Sequence, residues 1–185
     1  ALPLARALVK GGLPLLEITL RTPAALDAIE AIADEVDGAV VGAGTVLNSE
    51  QFEAVAKHGA KFAVSPGVTD NLLAAANNIP CPLLPGTATA SDVMRLLDHG
   101  FDFMKFFPAE PAGGRAYLKA LASPLPAAAF CPTGGIGPGN AKDYLALPNV
   151  ICVGGSWVAP AKAVATGDWA TIENLARGAA NLKAG

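Results

Sequence analysis

One unit recurs from end to end of this chain: a short apolar run, a turn, a helical pattern, then glycine. The runs begin roughly 20 to 27 residues apart, the spacing that crossovers between parallel strands require. Seven runs read as strands: Leu15–Leu20, Ala39–Gly44, Phe62–Gly67, Cys81–Gly86, Phe101–Glu110, Ala129–Gly134 and Val150–Gly154. The helical pattern of residues 1–10 stops at Gly11-Gly12, a C-terminal stop signal. The next runs to about Val36, with Thr22 as its N-cap and Pro23 at its first position. Others start near Asn48 or Ser49, after Thr69, at Ser91, near Arg115, near Asn140 and near Trp169. Strict alternation of this kind restricts the fold class to α/β, as a (β/α)8 barrel or a doubly wound sheet. The first element is a helix, so an eight-stranded barrel needs one strand ahead of Ala1. The expected fold is a (β/α)8 TIM barrel whose first strand is absent from this chain.

Composition bounds what such a fold does. A chain of 185 residues has room for one sizeable core, so residues 1–185 are read as one domain. Hydrophobic residues make up 52% and charged residues 16%, the balance of a packed globular chain. A net charge of −3 and a pI near 5.3 supply no basic patch, which argues against a nucleic-acid partner. No apolar run approaches the roughly 18 residues of a membrane span, and no signal-peptide pattern opens the sequence. Cys81, Cys131 and Cys152 each sit in an apolar run with no C-x-x-C spacing. They are expected to be reduced, buried thiols of a cytoplasmic protein. His58 and His99 each precede a glycine that ends a helix, where a C-terminal capping role is favoured over metal ligation. No zinc-type spacing exists, and no metal is expected.

The ionisable residues on strands carry the chemistry. Lys105 stands in the middle of Phe101-Asp-Phe-Met-Lys-Phe-Phe-Pro-Ala-Glu110. Alternation puts Phe103, Lys105 and Phe107 on one face, with Met104 and Phe106 on the other. Desolvation among aromatic rings disfavours an ammonium, and an amine is a nucleophile. Pairing with a carboxylate, or an ammonium reaching the surface, is the structural alternative. Of eight lysines, Lys10, Lys57, Lys119, Lys142, Lys162 and Lys183 fall on helical or loop segments, and Lys61 enters a strand from its start. On the first strand Leu15, Glu17, Thr19 and Arg21 share a face opposite Leu16, Ile18 and Leu20. The apolar face is expected to pack on helices and the polar face to look inward, with Arg21 at the carboxyl end where barrel sites lie. Glu17 and Arg21 are therefore expected to be buried, as functional groups or as a structural ion pair. A carboxyl near an amine suits Schiff-base chemistry: the amine adds to a carbonyl and the carboxyl moves protons. Thr133-Gly134-Gly135 and Gly154-Gly155-Ser156 end the last two strand patterns, where loops of such barrels commonly hold phosphate. Amides freed by glycine bind anions, although tight turns also use Gly-Gly.

These segments resemble a known family. The segments Leu16-Glu-Ile-Thr-Leu-Arg-Thr22, Gly42-Ala-Gly-Thr-Val46, Ser65-Pro-Gly67, Lys105-Phe-Phe-Pro-Ala-Glu110, Phe130-Cys-Pro-Thr-Gly-Gly-Ile136 and Gly154-Gly-Ser-Trp157 carry the resemblance. Together, and in this order, they resemble 2-keto-3-deoxy-6-phosphogluconate (KDPG) aldolase over essentially the whole chain. The resemblance implies a class I aldolase of the Entner–Doudoroff pathway on a (β/α)8 barrel, a homotrimer with no metal or other cofactor. It implies Lys105 as the Schiff-base lysine and Glu17 as general acid and base. Arg21 and Thr45 would hold the pyruvate carboxylate, while Pro66, Phe107 and Thr133 would shape the pocket. Gly134, Gly135 and Ser156 would bind phosphate. The partners are a phosphorylated 2-keto acid and its product pyruvate.

Two other functions compete with this one. A 4-hydroxy-2-oxoglutarate aldolase of the same family would share the chemistry of Lys105 and Glu17 and differ at the phosphate loops. A non-catalytic phosphate-binding or scaffold barrel would keep the fold, but has no reason to retain both inward-facing charges.

Overall fold

A computed structural model describes residues 1–182. Helices α1 (Leu2–Lys10), α2 (Ala25–Glu35), α3 (Ser49–Lys57), α4 (Asp70–Ala76), α5 (Ala90–Asp98), α6 (Gly114–Leu121), α7 (Ala141–Leu145), α8 (Ala161–Thr166) and α9 (Trp169–Ala180) alternate with strands over most of the chain. The strands are β1 (Leu15–Thr19), β2 (Val40–Gly44), β3 (Ala63–Val64), β4 (Leu83–Leu84), β5 (Gly86–Thr87), β6 (Phe103–Phe106) and β7 (Ala129–Pro132). They form two sheets, ordered β1-β2-β3-β4 and β5-β6-β7, and their registered pairs run parallel.

Two of the expected strands are corrected, and one helix is unanticipated. The run Cys81–Gly86 is not one strand: it gives β4, and then β5 begins in the second sheet at Gly86. Pro85 between them has no N–H for a ladder. The run Val150–Gly154 is not a strand but two isolated bridges, Phe130 to Val150 and Thr133 to Gly154. The bridge offset grows by one residue between them, so the segment bulges instead of running in a regular ladder. Helix α8 is an element that the sequence pattern does not announce.

Side-chain caps explain the starts of α3, α4, α5 and α9. Asn48 and Thr69 accept hydrogen bonds from the N–H groups of Gln51 and Leu72, as their positions predict. Helix α2 starts later than expected, capped by Ala24 with no side-chain bond, because Thr22 and Pro23 form a turn in which Ala25 N–H reaches the Thr22 carbonyl. Helix α5 is capped by Thr89, not Ser91. Thr89 Oγ1 accepts from Asp92 N–H and Asp92 Oδ2 accepts from Thr89 N–H, a reciprocal box. His58 and His99 each turn Nδ1 to a carbonyl four residues back, on Ala54 and Arg95, the helix-end role read for them.

The chain divides into two compact units. The first comprises Ala1–Val64, Thr69–Leu83 and Ser156–Asn181; the second comprises Ser65–Val68, Leu84–Gly155 and, among the described residues, Leu182. In the first, α1 packs on α9 so closely that a Cβ on Gly11 would fall 2.4 Å from Ala176 Cβ. In the second, Met104, Phe106, Phe130, Leu118 and Tyr144 are buried. Phe106 stacks on Tyr117 of α6 and meets Phe130 edge-on, contacts worth about 1 kcal/mol each beyond area burial. Among the described residues, no helix is long and apolar enough to cross a membrane. Lys183 lies outside the described residues.

Candidate active site

The second unit is built around β6. Its alternation is the one the sequence dictates: Met104 and Phe106 are buried on the helix side, and Lys105 points the other way. Lys105 is only 8% exposed, and its Nζ stands 5.0 Å from the centre of the Phe107 ring. Among the described residues, no carboxylate lies within ion-pair distance of it. A buried lysine without an ionic partner is rare, since burial opposes its charge. The ion-pair alternative therefore lacks its partner, and the surface alternative lacks exposure.

The strands on either side crowd against Lys105. Gly86 on β5 pairs in register with Lys105, and so does Cys131 on β7. A Cβ on Gly86 would sit 2.3 Å from the Pro66 carbonyl carbon. Only glycine lets the Ser65-Pro66-Gly67 segment lie against β5. Fully buried Ser65 fixes that approach by accepting from Gly86 N–H. Thr87, also buried, donates its hydroxyl to the Lys105 carbonyl. The composition of β5 offers no sign of that bond; only the pairing partner shows it.

Beyond β7, Thr133, Gly134 and Gly135 turn the chain. Ala109 N–H donates to the Thr133 carbonyl, and Glu110 N–H to that of Gly134. Gly134 and Gly135 have φ of 94° and 83°, values that favour glycine. Neither N–H has a hydrogen-bond partner among the described residues, so both remain free to donate. Thr133 Oγ1 is buried without a partner among the described residues. Gly154 lets its segment approach β7, since a Cβ there would fall 2.5 Å from Thr133 Cγ2. The Cys152 thiol, half-buried and not buried as expected, is held below its ordinary pKa by a hydrogen bond with Cys131, against burial. Burial pushes the Cys81 thiol up, partly offset by Lys61.

The first unit holds the other predicted residues. Leu16 is buried, while Leu15 and Glu17 are exposed, so the facing of β1 is as expected but the burial of its polar side is not. Glu17 and Arg21 are both exposed, and no ion pair joins them among the described residues. Arg21 donates from Nε to Thr19 Oγ1. The Glu17 carboxylate lies across Gly44, where a Cβ would overlap Oε1. Next to it, Thr45 has φ of 61°, an unusual conformation for a β-branched residue that costs about 1–3 kcal/mol and is concentrated at functional sites. Ser156 is exposed and its carbonyl accepts from Ala159 N–H. The second unit thus gathers Lys105, Pro66, Phe107, Thr133, Gly134 and Gly135, and the first holds Glu17, Arg21, Thr45 and Ser156.

A cavity of about 640 Å³ lies in the second unit, lined by Glu110, Arg115, Lys119 and Asp143 among others. None of the predicted site residues lines it. Gly113 and Gly114 at the start of α6 also line it.

Comparison with known proteins shows the family and the fold. The family model for KDPG and KHG aldolase matches residues 1–175. A 2-dehydro-3-deoxy-phosphogluconate aldolase of Pseudoalteromonas atlantica is 54% identical over 185 residues, covering 100% of this chain and 86% of that protein. The crystal structure of a KDPG aldolase from Legionella pneumophila, with pyruvate captured as a covalent carbinolamine, is 47% identical with a TM-score of 0.94. That match covers 96% of this chain and 86% of the other. The aldolase of Zymomonas mobilis with 3-phosphoglycerate is 52% identical, with a TM-score of 0.93, covering 98% of this chain and 85% of the other. The parallel α/β fold is thus the fold of these aldolases, and the chain belongs to the KDPG and KHG aldolase family.

Proposed function

We propose that this protein is a class I aldolase that cleaves 2-keto-3-deoxy-6-phosphogluconate to pyruvate and glyceraldehyde 3-phosphate. The observation that carries this reading is the buried Lys105 amine beneath an aromatic ring, without a carboxylate partner among the described residues. The amine adds to the 2-keto carbon, and loss of water from the carbinolamine gives a protonated imine. Deprotonation of the 4-hydroxyl breaks the bond between carbons 3 and 4. The aldehyde leaves, and the electron pair is taken up as an enamine. Protonation at carbon 3 and hydrolysis of the imine release pyruvate and restore the amine. Glu17 is assigned the proton transfers. Arg21 and Thr45 are assigned the carboxylate, with Pro66, Phe107 and Thr133 around the carbon chain.

The free N–H groups of Gly134 and Gly135, with Ser156, are assigned the phosphate. They favour a phosphorylated substrate over 4-hydroxy-2-oxoglutarate, whose cleavage would use the same lysine. Support comes from relatives: the Legionella enzyme holds pyruvate as a carbinolamine, and the Zymomonas enzyme was solved with 3-phosphoglycerate. A trimeric assembly in the cytoplasm, within the Entner–Doudoroff pathway, belongs to the same proposal.

Borohydride trapping with pyruvate, followed by peptide mass mapping and a Lys105→Ala control, tests the reading. A reduced adduct confined to Lys105 is expected. Adducts elsewhere with Lys105 untouched would show another nucleophile. No adduct in the folded protein would remove the Schiff-base mechanism and bring the scaffold function forward.

A further inference from the structure

We infer that Asn140 is a positioning residue that sets affinity for the phosphate of the substrate by holding the Gly134–Gly137 turn in shape. The inference rests on the assignment of phosphate to Gly134 and Gly135 made above. Asn140 occupies the N-cap of α7, where an asparagine side chain ordinarily accepts from the first turn of its own helix. Here it makes no such bond. Its amide turns back into the preceding loop: Oδ1 accepts from Gly137 N–H at 2.8 Å, and Nδ2 donates to the Gly135 carbonyl at 3.0 Å. The two partners fix which end of the amide is which, because a carbonyl can only accept and an N–H only donate. A carboxylate at neutral pH only accepts and an aliphatic side chain does neither, so neither can make both bonds.

The rest of the turn is held from beneath. Glu110 N–H donates to the Gly134 carbonyl, and a Cβ on Gly135 would fall 2.6 Å from Glu110 Cγ. The Glu110 carboxylate is itself anchored by the Tyr144 hydroxyl, from a fully buried side chain on α7. Burial, then the Glu110 bond and charge, push the Tyr144 phenol above its ordinary pKa, so it stays a donor across the neutral range. The carbonyls of Gly134 and Gly135 are therefore committed inward to Glu110 and Asn140. A peptide whose carbonyl is pinned has its N–H direction pinned with it. The Gly135 carbonyl, held by Asn140, fixes the peptide that leads to Ile136. The Gly134 carbonyl, held by Glu110, fixes the N–H of Gly135. Together the two bonds set the turn on which an anion would rest, and neither side chain needs to touch the ligand.

The test compares wild type with Asn140→Ala on two aldols, the phosphorylated six-carbon keto acid and unphosphorylated 4-hydroxy-2-oxoglutarate, with inorganic phosphate as competing anion. For Asn140→Ala, KM for the phosphorylated aldol and the inhibition constant of inorganic phosphate are expected to rise together by about tenfold. The KM for the unphosphorylated aldol, kcat and the rate of borohydride trapping with pyruvate are expected to stay within about twofold. Asn140 is half-exposed; should the alanine variant not fold, Asn140→Ser puts one short hydroxyl in place of two separated polar ends, so it cannot keep both bonds in their present geometry, and is expected to shift the same two constants. Equal changes for both aldols, or an unchanged phosphate constant, would overturn the inference while leaving the phosphate assignment intact. If inorganic phosphate fails to compete in the wild type, the phosphate assignment itself is wrong, and this inference falls with it.

Discussion

Lys105 Nζ lies 5.0 Å from the centre of the Phe107 ring, two residues further along the chain on the same face. The negative face of an aromatic ring attracts a cation, and in a desolvated place the attraction is worth about 2 kcal/mol. A protonated imine on Lys105 carries the same charge as the ammonium, so the ring favours the intermediate on which an aldolase depends. Phe107→Leu keeps an apolar side chain and removes the ring. It is expected to lower kcat/KM by about tenfold and to slow borohydride trapping with pyruvate. Thermal unfolding should shift by no more than a few degrees, because Phe107 is only half-buried. Wild-type kcat/KM in this variant would reduce the ring to a packing element.

Glu17 and Gly44 offer a way to move a carboxylate without replacing it. A Cβ on Gly44 would fall on Glu17 Oε1 and come within 2.8 Å of its Cδ and Cγ, all atoms of one flexible side chain that can rotate as a whole. In Gly44→Ala the backbone need not shift, so stability is expected to change by less than about 1 kcal/mol. The carboxylate must swing away, and kcat is expected to fall by about a hundredfold, within the range a general acid–base residue supplies. Steady-state kinetics beside a denaturant titration check this. Normal kcat with an intact fold would remove Glu17 from the proton transfers.

Alternation alone makes β1 and β6 legible in the sequence. Leu16 buried against exposed Glu17, and Phe106 against α6 with Lys105 opposite, both follow from period two. The exposure of Glu17 and Arg21 was not legible, because facing along a strand does not state what covers that face. The capping box of α5 has the required spacing in Thr89 and Asp92, but Ser91, another good cap type, stands closer to the apolar run and competes with it in the sequence. The break at Pro85 was readable in principle from the missing N–H. Asn140 gave no signal, since an asparagine after Gly-Pro-Gly reads equally well as a cap, a turn residue or a loop staple. Residues that act through hydrogen bonds to a distant carbonyl, such as Thr87, are invisible to any pattern along the chain.

Gly86 contrasts with Gly44. The atoms a Cβ would meet there are the backbone carbonyl of Pro66 at 2.3 and 2.4 Å and the amide nitrogen of Gly67 at 2.6 Å. Backbone held by a neighbouring strand cannot step aside as a carboxylate can. Gly86→Ala is therefore expected to cost about 2–3 kcal/mol by overpacking and to disturb the register that places Lys105 opposite Gly86. Denaturant unfolding measures the first effect and pyruvate trapping the second. A variant as stable as wild type would mean that the Ser65-Pro66-Gly67 segment is free to move.

Asp92 gives a pH dependence whose sign can be worked out. Partial burial raises its carboxyl, but the N–H groups of Ala88 and Thr89 with the Thr89 side chain outweigh it, aided by Arg95, and the net pKa is below the ordinary value. A depressed pKa in the folded protein means the charged form is favoured by folding. The stabilisation is present above the unfolded value near 3.9 and is lost as pH falls through the lower, folded value. Asp92→Asn is accordingly expected to cost about 1 kcal/mol at pH 7, the scale of a capping bond at a partly exposed site. The gap between variant and wild type should close as both are unfolded at successively lower pH below 4, where Asp92 protonates. Denaturant titrations of the two proteins between pH 7 and pH 3 measure it. A difference that stays constant across that range would mean that the substitution removes packing or geometry and not charge, and that the reciprocal box contributes nothing that titrates.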